Sequence, residues 1–143
     1  MIIVDTSVWS RAFRRPTDGR QDPAAGVLRA LIQEHQPVGL LGIVYQELLT
    51  GVRHPEQLQR LRAALDPFPL LLAEREDHVL AAEIGNTCRG RGIATSTPDA
   101  LIAACSVRRN GTLLTSDRDF VRIADCTQLL VRFVPDEITG TAA

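Results

Sequence analysis

Five acidic side chains stand where a chain with 45% hydrophobic residues has little use for bare charge. Asp5 follows the β-branched run Ile2–Val4, Glu47 lies within VYQELLTGV, and Asp99 opens DALIAACSV. Asp117 and Asp119 come just after TLLT. Carboxylates gathered together repel, and their pKa values rise unless positive charge offsets them. All 16 basic residues are arginine, so no lysine is available to do so. A hard divalent cation is the natural counter-ion, because Mg²⁺ takes oxygen ligands and keeps several waters. Held by a few acids, it leaves positions for a phosphate oxygen and an attacking water, the chemistry of phosphodiester displacement.

Each acid also has a plain structural use. Asp5 and Asp117 suit helix N-caps. Asp99 follows Pro98 in a first helical turn, where negative charge is favoured. Asp119 can complete a cap with Ser116, and Glu47 can be a surface residue. What makes the set hard to dismiss is where the intervening elements would bring it.

The sequence predicts strands at 2–4, 37–41, 67–73, 112–115 and 128–133. Between them it predicts helices at 8–13, 23–36, 43–52, 55–65, 74–89, 98–110 and 117–124. Strands alternating with helices imply an α/β fold with a mainly parallel sheet. Asp5 and Asp117 then sit at carboxyl ends of strands, where open parallel sheets bind ligands. The helix carrying Asp99 is apolar almost all round and is expected to be central. Glu47 lies on the flank of its helix's apolar arc, one turn from Gly51. At 143 residues the chain is read as one domain, spanning 1–133, with a loosely ordered tail over 134–143.

Several classes of function are excluded. Without lysine there is no Walker A loop and no Schiff base. A phosphoacceptor receiver domain, another parallel α/β fold with clustered aspartates, also needs a lysine near its acids. Cys88, Cys105 and Cys126 form no CxxC pair, and their odd number argues against a disulfide framework. The three histidines show no zinc-binding spacing. The start, MIIVDTSVW, lacks a basic n-region, and no apolar run approaches the roughly 20 residues of a membrane span. The expected location is therefore cytoplasmic, with no membrane partner.

Asp5 in MIIVDTSVW, Glu47 in VYQELLTGV, Asp99 in TPDALIAA and Asp117 in LLTSDRDF together resemble the acidic quartet of PIN-domain nucleases. Their order and surroundings are similar to those of VapC-type toxins from bacterial toxin–antitoxin pairs. The resemblance runs from residue 1 to about 133 and implies a three-layer α/β/α sandwich. It makes Asp5, Glu47, Asp99 and Asp117 the catalytic Mg²⁺ site, with Mn²⁺ as the substitute ion. It gives supporting places to Ser7, Thr115 and Asp119. The implied activity is metal-dependent endonucleolytic cleavage of RNA, and the implied partners are a small antitoxin and a second copy of the chain. Arg14, Arg15, Arg20 and Arg118, on loops near the strand ends, are candidates for RNA phosphate contacts. The competing expectations are a PIN-like module that binds RNA or a partner without cutting, and a DNA nuclease of the same architecture.

Overall fold

The computed structural model describes residues 1–13 and 22–136. The elements run β1 (Ile2–Val4), α1 (Thr6–Ala12), α2 (Pro23–Gln33), β2 (Val38–Leu41), α3 (Gly42–Leu49) and α4 (Pro55–Leu65). There follow β3 (Leu70–Leu71), α5 (Arg75–Gly90), α6 (Thr97–Arg108), β4 (Thr112–Thr115), α7 (Arg118–Cys126) and β5 (Leu130–Phe133). The five strands form one sheet in the order β3-β2-β1-β4-β5, and every neighbouring pair is parallel. Two successive connections step from β1 toward β3, and the later ones return across to β4 and β5. Right-handed crossovers therefore place the helices before β3 on one face and those after it on the other. The result is a three-layer α/β/α sandwich, the architecture expected from the alternating pattern.

The core is built from the middle strands. Ile3, Val4, Leu40, Leu41, Leu113 and Leu114 are essentially inaccessible to solvent. Removing each from water contributes roughly 1.5–3 kcal/mol. Gly111 lets β4 begin beside β1, since a Cβ there would stand 2.9 Å from Ile3 Cγ1. Among the described residues, no helix is long and apolar enough to cross a membrane.

Some elements are shorter than expected, each for a local reason. The strand expected over 67–73 is reduced to Leu70–Leu71. Pro67 and Pro69 cannot donate to a ladder, and Pro69 enters it only through its carbonyl, which accepts from Leu40 N–H at 3.3 Å. The second helix stops at Gln33 instead of residue 36. His35 adopts a left-handed conformation (φ 55), and Gln36 N–H donates back to Leu31 O at 3.0 Å, closing a Schellman turn.

One ion cluster locks α5, α6 and the end of β3 together. Asp77 is completely buried in the first turn of α5. Arg108 Nη1 donates to its Oδ1 at 2.9 Å, Arg109 donates to both of its oxygens, and Glu74 N–H donates to Oδ2 at 2.7 Å. Arg109 also donates to Leu72 O at 2.8 Å. Burial alone would raise the Asp77 carboxyl, but the Glu74 N–H and the two guanidinium groups outweigh it and hold the pKa below the usual range. A depressed folded pKa stabilises above the unfolded value of 3.8 and loses that contribution as pH falls through the folded pKa. We expect Asp77→Ala to cost roughly 3 kcal/mol at pH 7, because it leaves two arginines and a backbone donor without their acceptor. Urea unfolding should show this loss at pH 7 and a smaller one as pH falls below 3.8 and through the folded pKa, where the native carboxyl is itself being protonated.

Candidate functional site

The sheet order reverses between β1 and β4, since the chain leaves β1 on one side and approaches β4 from the other. Such a reversal opens a cleft at the carboxyl ends of the two strands. Asp5 and Asp117 follow those ends directly. Asp5 N–H donates to Leu114 O at 2.9 Å, so the pairing of the two strands carries on into the site.

Asp5 is 4% exposed and is held by hydroxyl groups. Ser7 Oγ donates to its Oδ2 at 2.7 Å and Thr115 Oγ1 donates to the same atom at 2.9 Å. Each hydroxyl is used a second time, as an acceptor. Ser116 N–H donates to Ser7 Oγ at 3.1 Å, and Asp117 N–H donates to Thr115 Oγ1 at 3.0 Å. The β4–α7 turn is thereby fastened to Asp5 by two relays. Since each hydroxyl has one proton and gives it to Asp5, the relays favour the ionised carboxylate. Burial nevertheless raises the Asp5 pKa, and the bonds from Ser7, Thr115 and the nearby N–H groups offset it only in part.

Asp117 is the N-cap of α7, its Oδ1 accepting from Asp119 N–H at 2.9 Å. Asp99 lies in the first turn of α6, whose N-cap Ser96 accepts from Asp99 N–H at 3.2 Å. Asp99, Asp117 and Asp119 each offer a carboxylate oxygen within 4.8 Å of the others. Burial, then the Asp117 charge, push the Asp99 carboxyl up to about 6; the Ser96 bond opposes this, while Asp5 and Asp119 add smaller pushes. Asp5 borders the same cleft through Thr115, whose hydroxyl donates to Asp5 and accepts from Asp117 N–H.

Glu47 stands apart from the tight group of three. Its Oε1 accepts from Thr6 Oγ1 at 2.9 Å, tying α3 to the first turn of α1. Asp119 belongs to the tight group even though the sequence reading gave it only a supporting place, and it also takes Arg122 Nη1 at 2.9 Å. Arg118 is exposed at the start of α7 with its guanidinium over the Phe133 ring, 5.3 Å from the centroid. Arg14, Arg15 and Arg20 lie outside the described residues.

Thr6, Ser116 and Arg11 also frame the cleft, and the sequence reading assigned none of them a place in the site. Thr6 and Ser116 carried a signal, since each is a hydroxyl adjoining an acid. Arg11 carried none: its importance comes from Asp22 and Asp136, which reach it from distant parts of the chain.

A cation fits this donor set. The acids offer hard oxygens, burial raises the pKa of Asp5 and Asp99, and among the described residues the ion pair within the group is at its exposed member, Asp119. Oxygen donors in such an array suit Mg²⁺ or Mn²⁺.

The PIN domain family model matches residues 2–125. The "VapC ribonuclease Mb1587" of Mycobacterium bovis is 30% identical over 131 residues, covering 90% of this chain and 96% of that protein. "Ribonuclease VapC11" of Mycobacterium tuberculosis matches to the same extent. Among solved structures, FitAcB from Neisseria gonorrhoeae superimposes with a TM-score of 0.73 at 24% identity, covering 94% of this chain and 98% of that one. VapBC2 from Rickettsia felis, bound to a promoter DNA fragment, gives a TM-score of 0.76 at 20% identity over 94% and 99% of the two chains. These structural likenesses share the fold.

The raised Asp99 pKa has a measurable sign. A carboxyl whose folded pKa exceeds its unfolded value destabilises the protein as pH rises from 3.8 through about 6. In EDTA, Asp99→Asn should therefore raise the melting temperature at pH 7.5, by the equivalent of about 1 kcal/mol after discounting for solvent screening. The gain should shrink to nothing near pH 4. A variant that melts lower than the native chain at pH 7.5 would show that the carboxylates do not repel.

Proposed function

The chain belongs to the PIN-domain family, among the VapC-type ribonucleases of toxin–antitoxin systems, and from that premise we propose that it is a divalent-metal-dependent endoribonuclease. The observation that carries the proposal is the convergence of Asp99, Asp117 and Asp119 beside buried Asp5 at the sheet's switch point. In this reading Asp5, Asp99 and Asp117 hold Mg²⁺, or Mn²⁺ in its place, with Asp119 beside them and Glu47 acting through water. When bound, the ion supplies Lewis acidity toward the phosphate and lowers the pKa of a coordinated water.

The protein's own groups do the rest. Ser7 and Thr115 occupy Asp5 Oδ2, so that Oδ1 is the oxygen left to face the cleft. Thr6 holds Glu47 by Oε1, leaving Oε2 to accept a hydrogen bond from water and align it. Ser96 fixes the first turn of α6 and so the height at which Asp99 enters the cleft. Hydrolysis breaks one P–O bond of the RNA backbone and transfers the water oxygen to phosphorus. One water proton leaves through the carboxylate wall, and the departing sugar oxygen takes another from solvent.

A small antitoxin is the proposed regulatory partner, and a second copy of the chain the proposed assembly. Support comes from the VapBC complexes sharing this fold and from the ribonuclease names of the curated relatives.

The test is cleavage of a mixed RNA pool by the purified protein in Mg²⁺, Mn²⁺ or EDTA, with single-stranded DNA alongside. Cutting of RNA should need metal, and Asp99→Asn should reduce it by on the order of 10²-fold or more, as when a charge-stabilising group at a transition state is removed. Equal cutting by the variant would remove Asp99 from the site. Metal-dependent cutting of DNA alone would replace the ribonuclease reading with a DNA nuclease.

A further inference from the structure

Beside Asp117, on the α1 side of the cleft, lies a cavity of about 650 Å³ bordered by Ser7, Arg11, Ser116, Arg118 and Phe133. Asp117 and Ser7 line it too, so it opens directly beside the carboxylates, but Arg11, Ser116 Oγ, Arg118 and Asp136 take no part in their chemistry. Three separate features say what it takes.

The first is Ser116. The residue is 5% exposed, yet its Oγ has no hydrogen-bond partner among the described residues. A buried hydroxyl without a partner is costly, and each such group calls for an explanation. The Oγ is out of solvent's reach where it stands, but the residue borders an open cavity, so a turn about χ1 brings the unpartnered hydroxyl to an incoming ligand oxygen. The second is Arg118. Its stack on Phe133 holds a positive charge at the cavity edge and limits the guanidinium's freedom.

The third is Arg11, whose side chain is 19% exposed. Asp22 Oδ2 accepts from Nη1 at 2.9 Å. Asp136, three residues beyond β5, takes the guanidinium at two points. Its Oδ1 lies 2.6 Å from Nη2, and its backbone oxygen accepts from Nη1 at 3.0 Å. Two oxygens set on the fork of a guanidinium are the arrangement a phosphate adopts there. Asp22 is packed at the start of α2 as its N-cap, whereas Asp136 is exposed and is the displaceable member.

We propose that this cavity is a phosphate subsite for the RNA strand, one that seats a phosphodiester neighbouring the one to be cut, and that Asp136 occupies its Arg11 anchor when RNA is absent. Ser116 Oγ donates to a phosphate oxygen, Arg118 meets the backbone at the rim, and Arg11 exchanges Asp136 for phosphate. The inference rests on the ribonuclease reading above. The contacts go to phosphate only, so they set the position of the strand and do not read its sequence. They also give Asp136 a definite role, as an internal anion that competes with the substrate.

The test is binding of a short, fluorescein-labelled, mixed-sequence RNA, followed by anisotropy in Mg²⁺. The Asp99→Asn chain serves as the non-cutting background for Ser116→Ala, Arg118→Ala and Asp136→Asn. Ser116→Ala should weaken binding about 3- to 10-fold, and Asp136→Asn should tighten it by a similar factor. Arg118→Ala should lower the slope of log affinity against log salt by about one, the loss of a single phosphate contact. The tightening matters most, since a misfolded variant does not gain affinity. Weakening by Ser116→Ala together with tightening by Asp136→Asn supports the subsite; any other pairing of those two results overturns it. The nuclease reading fails separately, if Asp99→Asn itself still cuts RNA. A chain that cuts with dependence on Asp99, yet binds RNA equally well in all three variants, retains the nuclease and loses the subsite.

Discussion

The architecture of the cleft depends on one oxygen atom, Asp5 Oδ2. It receives the hydroxyls of Ser7 and Thr115, and through them the backbone N–H groups of Ser116 and Asp117. This small network closes the gap where the sheet reverses direction and neighbouring strands diverge to opposite helical layers. It sets the turn from which Asp117 and Asp119 project. Asp99 arrives from α6, whose buried face of alanines, Ile102 and Cys105 allows the helix to lie deep in the molecule. The acids therefore meet because rigid elements bring them together, against their own repulsion.

Two buried aspartates illustrate how different that is from ordinary stabilisation. Asp77 has two arginines and a backbone N–H aimed at it, and its pKa falls. Asp5 has only neutral donors, and its pKa rises. Both sit in one fold at comparable depth. The first is a completed ion cluster that joins helices. The second is a negative group that its described surroundings orient without neutralising. An enclosed carboxylate of that kind, on the same cleft as Asp99 with its raised pKa, is characteristic of functional sites.

Much of this was legible in the sequence, and the exceptions have definite causes. The alternation of short apolar strands with helices was enough for the parallel sandwich, and the strand ends located Asp5 and Asp117 at one edge. The extent of β3 was overestimated because an apolar run reads as strand even when prolines at 67 and 69 remove its donors. The nearness of Asp119 to Asp99 and Asp117 was not legible because spacing alone cannot say which face of a cap its side chain takes. Ser116 and Arg11 went unassigned because what distinguishes them is relational. One is a hydroxyl left unpartnered by burial; the other is an arginine gripped by residues 11 and 125 positions away. No periodicity encodes either fact.

The structural and functional readings of these acids, which compete in the sequence, divide in the structure between the atoms of each side chain. Asp117 caps α7 with Oδ1 and keeps Oδ2. Asp5 fastens the turn with Oδ2 and keeps Oδ1. Glu47 joins α3 to α1 by Oε1 and keeps Oε2. A carboxylate has two oxygens and about four acceptor positions, so one oxygen can be fixed to the fold while the other is presented. An amide in the same place retains one acceptor oxygen and turns the other position into a donor. Asn at position 5 would thus keep a shape close to the native one while placing an N–H either against the two hydroxyls or toward the cleft. In the first orientation the relays break; in the second the cleft loses an anionic ligand. That constraint explains why the acid at the end of β1 serves the frame and the proposed metal site at once, and why neither role can be given up without disturbing the other.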